Sequence, residues 1–249
     1  MVRGRIAAAC DRTGRRPADV RLVAVTKYAS LDVARALLAL GLTDLGESRV
    51  QQLVSRAEEL GASLAAWDEA QRGPSQSPTW HMIGHLQRNK VKTLLPRSRT
   101  LHSVDSQRLI EEIDRQAERF DAVVDVLLEV NVSGEASKQG APIASVIALA
   151  ESSVLSRHLR LRGLMTMAPA APDPERARPH FARLRELLED LRTRGVVGRS
   201  CGQLSMGMSQ DYAVAVEEGA TLVRIGSALY EGLAHGATFR VPIAPRTAD

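Results

Sequence analysis

Leu22-Val23-Ala24-Val25-Thr26-Lys27 opens as an apolar run rich in valine and closes on a lysine. Apolar on both faces, it reads as a buried strand over Leu22–Thr26, of the kind found in sheets covered on both sides. Ser30 then caps a segment of helical period that ends at Gly41, and Asp44-Leu45-Gly46 is a second short strand. Strand, capped helix and strand in close succession make a βαβ step, which demands parallel pairing with a crossover helix.

The same alternation continues outward from this step. Val50, Leu53, Val54, Ala57 and Leu60 recur at 3.6-residue spacing, so a helix is expected there, stopped by Gly61. Gln71 to Thr79 carries Gly73, Pro74, Ser75 and Pro78 and is expected to be a loop. Trp80–Ile83 and Leu101–Val104 are expected strands, with Pro96 ending the helix between them. Asp105 or Ser106 should cap a helix that turns Leu109, Ile113, Ala117 and Phe120 inward. Val123–Val132 is the strongest strand signal. Pro142 should open the next helix as a first-turn proline, with Ile143, Val146, Ile147 and Ala150 on one face. Leu159–Met165 is a strand, and Phe181, Leu184, Leu188 and Leu191 line a long helix closed by Gly195. Gln203–Met206 and Thr221–Ile225 complete the strands. About eight strands, each followed by a helix, predict an α/β fold built as a single (β/α)8 barrel over residues 1–249, without a second domain. An open doubly wound sheet is the alternative, weakened because no GxGxxG follows any strand.

Composition limits the function. The 249 residues are 44% hydrophobic and 25% charged, enough for one sizeable core. Aromatics are only 3%, so Leu, Val, Ala and Ile must build that core, and base-stacking platforms for nucleic acid are not expected. The formal charge of +4 comes mostly from scattered arginines; the denser Arg12–Arg16 stretch has no aromatic interleaving. Cys10 and Cys201 form no CxxC pair and no zinc-type cluster, which suits a reducing compartment. No apolar run reaches the roughly 20 residues of a membrane span, and Met1-Val2-Arg3-Gly4-Arg5 is no signal peptide. A cytoplasmic protein with no membrane or nucleic-acid partner is expected.

In such a barrel, chemistry belongs at the carboxyl ends of the strands. Residues 23, 25 and 27 share one side of the first strand. If Val23 and Val25 face the interior, Lys27 faces it at the mouth, where desolvation favours the neutral amine and attack on an aldehyde; the plain alternative is a lysine reaching solvent. Arg224-Ile225-Gly226-Ser227-Ala228 ends the last strand: Gly226 permits close approach and Ser227 can start a helix, whose N–H groups form an anion site. In the preceding loop Ser209 stands at an N-cap position before a helix carrying Tyr212, Ala215 and Val216, or the two turns are simply ordinary caps. Arg224, inside an apolar strand, is either a structural ion pair or a fixed cation aimed at a ligand. Glu47, Ser48 and Gln52 follow strand two; His81, His85, Gln87 and Asn89 surround strand three; His102, Ser103 and Asp105 mark strand four; Asn131, Ser133 and Lys138 follow strand five. Single histidines of this kind are more often hydrogen-bonded core or surface residues than catalysts. No nucleophile elbow, HExxH or Walker loop is present.

Taken in order, these stretches carry a pattern: Leu22–Lys27, Gly46-Glu47, Trp80 through Lys90, Asn131 through Gly140, Leu161–Met165, Leu204-Ser205-Met206-Gly207-Met208-Ser209 and Val223–Ser227. The chain resembles the pyridoxal phosphate homeostasis proteins, a family built like the N-terminal barrel of alanine racemase. The resemblance implies pyridoxal 5′-phosphate (PLP, the vitamin B6 cofactor) held as a Schiff base on Lys27. It implies Ser209, Gly226 and Ser227 as phosphate ligands, Arg224 facing the pyridine nitrogen, and Met165 and His81 near the ring. Ser48 stands where the family commonly has Asn, which would shorten a contact or route it through water. The family usually shows more of an N-terminal helix before Arg5, so over residues 1–20 either the start is misassigned or the first helix is shortened. The function implied is PLP homeostasis, with delivery to PLP-dependent apo-enzymes, by a monomer that runs no committed catalytic cycle. The alternative is a small amino-acid racemase. That reading lacks the C-terminal β-domain of the racemases and an evident second base, since Tyr28 adjoins Lys27 but points to the opposite face and only Tyr212 and Tyr230 remain. A third reading is a barrel that binds another phosphorylated metabolite without covalent attachment.

Overall fold

The computed structural model describes residues 1–27, 29–71, 77–135 and 138–230. Nine strands run in chain order: β1 Arg21–Val25, β2 Asp44–Glu47, β3 Thr79–Met82, β4 Thr100–Val104, β5 Val124–Asn131, β6 Ala141–Pro142, β7 Leu159–Met165, β8 Gln203–Ser205 and β9 Leu222–Ile225. All pairings are parallel. β1 pairs with both β2 and β9, and β4 pairs with β5, so the sheet closes on itself through eight strands, with the two-residue β6 attached beside β5. This is the closed eight-stranded (β/α) barrel, and the open-sheet alternative is excluded.

The helices are α1 Val2–Arg12, α2 Leu31–Ala39, α3 Val50–Gln71, α4 Val91–Leu94, α5 Gln107–Arg119, α6 Val146–Leu155, α7 Arg178–Thr193, α8 Tyr212–Glu217 and α9 Ser227–Tyr230. They pack around the sheet with Leu, Val and Ala filling the layer between; Phe181 on α7 is fully buried among them. Ser30 caps α2 as its sequence suggests, its hydroxyl accepting from the Val33 N–H at 3.3 Å. Helix α1 buries Val2, Ile6, Ala9 and Cys10. It is tied to α8 by Arg12 on Glu217 and followed by Arg15, which donates to the Val216 and Ala220 carbonyls at 2.6 and 2.8 Å.

Several local expectations are corrected. Gly61 does not stop α3, which continues to Gln71. The glycine costs about 1 kcal/mol relative to alanine, and the Ala- and Leu-rich sequence around it carries the helix through. Of the expected loop, Gln71 is helical, Thr79 starts β3, and residues 72–76 lie outside the described set. Phe120 is not inward: α5 ends at Arg119, and Phe120 is its partly exposed C-cap before Asp121 at φ 45°. Pro142 does not open α6. It lies in the β6 bridge opposite Asn131 and precedes a 3₁₀ turn, Ile143–Ser145, so the helix begins only at Val146.

The lumen of the barrel has its own packing. Val23, Leu127, Met165 and Leu222 form an apolar cluster separate from the outer core. The carboxyl ends of the strands open into a cavity of 620 Å³.

Candidate functional site

Lys27 lies in the turn just after β1 and lines the cavity together with Val25, Ser48, Ser209, Arg224, Gly226 and Ser227. The two-residue period of β1 therefore places 25 and 27 at the mouth, as the sequence suggests. Lys27 is exposed there, which corrects the expectation of a desolvated amine. The residue behind it is held firmly: Thr26 is fully buried, its N–H donates to the Gly46 carbonyl at 3.1 Å and its hydroxyl donates to Glu47 Oε1 at 2.7 Å. Glu47 also meets Arg56 at 3.3 Å and is sealed against solvent. Position 47 thus braces the lysine turn from behind the sheet instead of facing the cavity.

Opposite Lys27, the loops after β8 and β9 meet. Ser209 does not cap α8; Asp211 takes the N-cap position, and its Oδ1 accepts from the Met208 N–H at 2.6 Å. The Ser209 hydroxyl instead accepts from the N–H groups of Gly226 and Ala228, at 3.2 and 3.3 Å. Two backbone donors and a hydroxyl so converge on one spot at the start of α9. Gly207 must be glycine: its φ is +91° and an added Cβ would sit 2.5 Å from Ala215 Cβ. At Gly226 protein packing makes no such demand, since an added Cβ meets Val25 at an ordinary 3.4 Å. Any need for a glycine there comes from the cavity side.

Arg224 is buried on β9 and reaches the cavity wall. Nη1 donates to the Ser205 carbonyl at 2.8 Å and to Ser205 Oγ at 2.6 Å; Nη2 donates to the Thr166 carbonyl at 2.9 Å. Among the described residues these bonds occupy three of its five N–H donors, leaving Nε–H and one Nη2–H. Burial pulls its pKa down to about 10, opposed by the carboxylates of Glu129 and Asp211, so it stays a cation at neutral pH. Both carboxyls are raised in turn, first by their own burial; Glu129 reaches about 7, with Asp105 adding to the rise.

His81 and Met165 do not line the cavity. Met165 is fully buried in the apolar cluster of the lumen. His81 is sealed between Asp44, whose Oδ1 is 2.9 Å from Nε2, and His102, whose Nε2 is 3.0 Å from Nδ1. The cavity is reached instead by Ile83 and His85, next on the same chain stretch. Ser48 does reach it, and Gly84 packs so tightly on Ser48 that an added Cβ would sit 2.3 Å from the Ser48 carbonyl oxygen. Asn131 closes its own loop, donating to the Glu135 and Lys138 carbonyls and accepting from Ser133 and Gly134.

Residues 4–234 match the family model described as alanine racemase, N-terminal domain. The curated "Pyridoxal phosphate homeostasis protein" of Pseudomonas aeruginosa is 40% identical over 95% of this chain and 94% of its own length. That of Aquifex aeolicus is 38% identical over 91% and 92%. The chain belongs to the pyridoxal phosphate homeostasis protein family. Among solved structures, a family relative, PipY of Synechococcus elongatus PCC7942 with PLP bound, is 29% identical, with a TM-score of 0.75 over 92% of this chain and all of that one. Alanine racemase from Corynebacterium glutamicum, 17% identical with a TM-score of 0.63, covers 94% of this chain but is itself covered over only 63% of its length, and shares the fold.

Several residues of this site carry no motif that sequence reasoning could use. Tyr230 lines the cavity and donates to the Val25 carbonyl at 3.0 Å. The segment after β7, including Met167, Ala168, Pro169 and Asp173, forms one wall. Asp211 and Glu129 place carboxyls near Arg224. Among the described residues no helix is long and apolar enough to cross a membrane, and no group of His, Cys, Asp or Glu is placed to hold a metal ion.

Proposed function

We propose that this chain binds PLP in the cavity at the barrel mouth, as a Schiff base on Lys27, and serves intracellular PLP homeostasis by passing the cofactor to apo-enzymes. One observation carries the reading: a single cavity gathers an amine, an anion cup and a buried cation with donors to spare. PLP supplies an aldehyde that exchanges between amines and a ring that withdraws electrons.

The residues fit the three parts of that ligand. Lys27 supplies the nitrogen for the aldehyde. On phosphate binding the Gly226 and Ala228 N–H groups, bonded to Ser209 Oγ in the ligand-free site, would turn to the phosphate together with the Ser209 and Ser227 hydroxyls, because donors at a helix start favour an anion. The open side of Gly226 leaves room for its approach. Arg224 offers Nε–H or Nη2–H to a ring nitrogen. A guanidinium donates a hydrogen bond without giving up its proton, so the ring stays a modest electron sink. Ser48 and Tyr230 complete the wall.

Among the described residues, which do not include Tyr28, the same geometry disfavours a racemase. Tyr212 is buried away from the cavity, and the Tyr230 hydroxyl is spent on a carbonyl, with burial pushing its pKa up to about 12. The test is to load the protein with PLP, reduce with borohydride and map the modified peptide. Modification at Lys27, absent in Lys27→Ala, is the expected result. Incubation of loaded protein with alanine, serine and an apo-enzyme then separates the roles: transfer without turnover supports the carrier, whereas chiral inversion well above that of free PLP overturns it. A phosphate-dependent ligand that binds without reduction at Lys27 would sink the covalent reading.

A further inference from the structure

Beneath the cavity, five side chains form an unbroken hydrogen-bonded line through the barrel. Asp44 Oδ1 lies 2.9 Å from His81 Nε2, and His81 Nδ1 lies 3.0 Å from His102 Nε2. His102 Nδ1 lies 2.9 Å from Ser205 Oγ, which accepts from Arg224 Nη1 at 2.6 Å. The line starts on β2, passes β3 and β4, crosses the lumen to β8 and ends on β9. His81, His102, Ser205 and Arg224 are all buried. Asp44 stands at the amino end of its strand, 18% exposed, with Arg21 at 3.6 Å. It therefore marks the face of the barrel opposite the cavity.

The direction of the line follows from its ends. A guanidinium only donates, and a carboxylate only accepts. Ser205 Oγ must accept from Arg224, so its own O–H is available for His102 Nδ1. His102, whose burial holds its pKa well below the usual imidazole value, then carries its proton on Nε2 and donates to His81 Nδ1. His81 in turn donates from Nε2 to Asp44. Every donor finds one acceptor. In the opposite direction Ser205 Oγ would accept from both Arg224 and His102, leaving its own proton no acceptor in the line, and both nitrogens of His81 would have to carry protons.

We infer that Asp44, His81, His102 and Ser205 are positioning residues. They pin the Nη1 side of Arg224 and thereby hold its remaining donors toward the cavity. The role rests on the reading that the cavity takes PLP. Polar residues deep in a barrel are costly unless every partner is satisfied. Here the line is complete and terminates on the one buried cation of the site. Without the directed Ser205 hydroxyl, the guanidinium loses a charge-assisted bond and its fixed orientation.

Two measurements test this. Nitrogen-15 NMR of the ligand-free protein, assigned with His81→Gln and His102→Gln, should show each imidazole protonated on Nε2 and not on Nδ1. Stopped-flow or dialysis release of PLP from the loaded protein should be about tenfold faster in Ser205→Ala, the loss of one bond to a charged group. Ser205→Thr, which keeps the hydroxyl on a strand position, should release PLP at close to the wild-type rate. A proton on Nδ1 of either histidine, or Ser205→Ala and Ser205→Thr releasing alike, overturns the inference even where wild-type protein is loaded at Lys27. A wild-type chain that takes up no PLP overturns the proposed function and this role together. The tautomers, read without ligand, still report whether the line runs as assigned.

Discussion

The mouth and the lumen of this barrel are built by opposite rules. At the mouth, Lys27, Ser209 and Gly226 lie in turns and Ser227 starts α9, all of them partly or largely open to solvent. In the lumen, His81, His102, Ser205 and Arg224 are sealed and bonded to one another, beside an equally sealed apolar cluster. Substitutions at the mouth should thus change what is bound without changing stability, whereas substitutions deeper in should change stability first.

The sharpest separation is expected from Lys27→Ala. Covalent retention of PLP after borohydride should vanish entirely, while the free energy of unfolding stays within the range of a surface change, about 0.5 kcal/mol. A large loss of stability would erase the distinction between the two regions. The converse case is Gly163→Ala on β7. An added Cβ would lie 1.8 Å from the Gln203 carbonyl oxygen of β8, so the two strands must part. The expected cost is about 4 kcal/mol in denaturant unfolding; a wild-type curve would mean that the seam is not packed as described.

Glu129 refines the comparison, because it lies at the border of the two regions. Its pKa is raised to about 7 by burial, then by Asp105, against the pull of Arg224. A carboxyl with a raised folded pKa holds its proton more tightly when folded. Its contribution to stability is full below about pH 4.5 and is lost as pH rises through 7. Wild-type protein should therefore lose on the order of 2 kcal/mol between pH 5 and 8 that Glu129→Gln retains, as read from urea midpoints across that range. Parallel pH profiles would remove Glu129 from the buried set. The smallest effect belongs to Ser209→Ala. It should weaken PLP retention about tenfold and alter stability by about 1 kcal/mol or less, since the freed Gly226 and Ala228 donors can turn to water. A stability loss as large as that of Gly163→Ala would place Ser209 with the packing residues.

The barrel and most of the mouth were legible because their signals are local. The Val23, Val25, Lys27 alternation and the Gly226-Ser227 turn are read from adjacent residues, and the parallel alternation of strand and helix follows from spacing alone. The lumen line was not legible, because His102 and Ser205 are 103 positions apart and meet only once the barrel has closed. His81 illustrates the difference. The family resemblance implied a place beside the ring, whereas closure turns it inward to His102 and leaves Ile83 and His85 at the cavity. Ser209 was found for the wrong reason. A serine three residues before a helix reads as its cap, but its hydroxyl serves the neighbouring turn. Gly61 and Pro142 misled because a breaker weakens an element only as far as its surroundings allow.

The two cysteines have a consequence of their own. Cys10 is buried on the inner face of α1 and Cys201 just before β8, and burial raises both thiol pKa values, that of Cys201 to about 11. Thiols add to aldehydes as readily as amines do, and sulfur adducts are a common way for such carbonyls to go astray. If the chain takes PLP as proposed, sulfhydryls that are hidden and protonated offer the aldehyde no competing soft nucleophile.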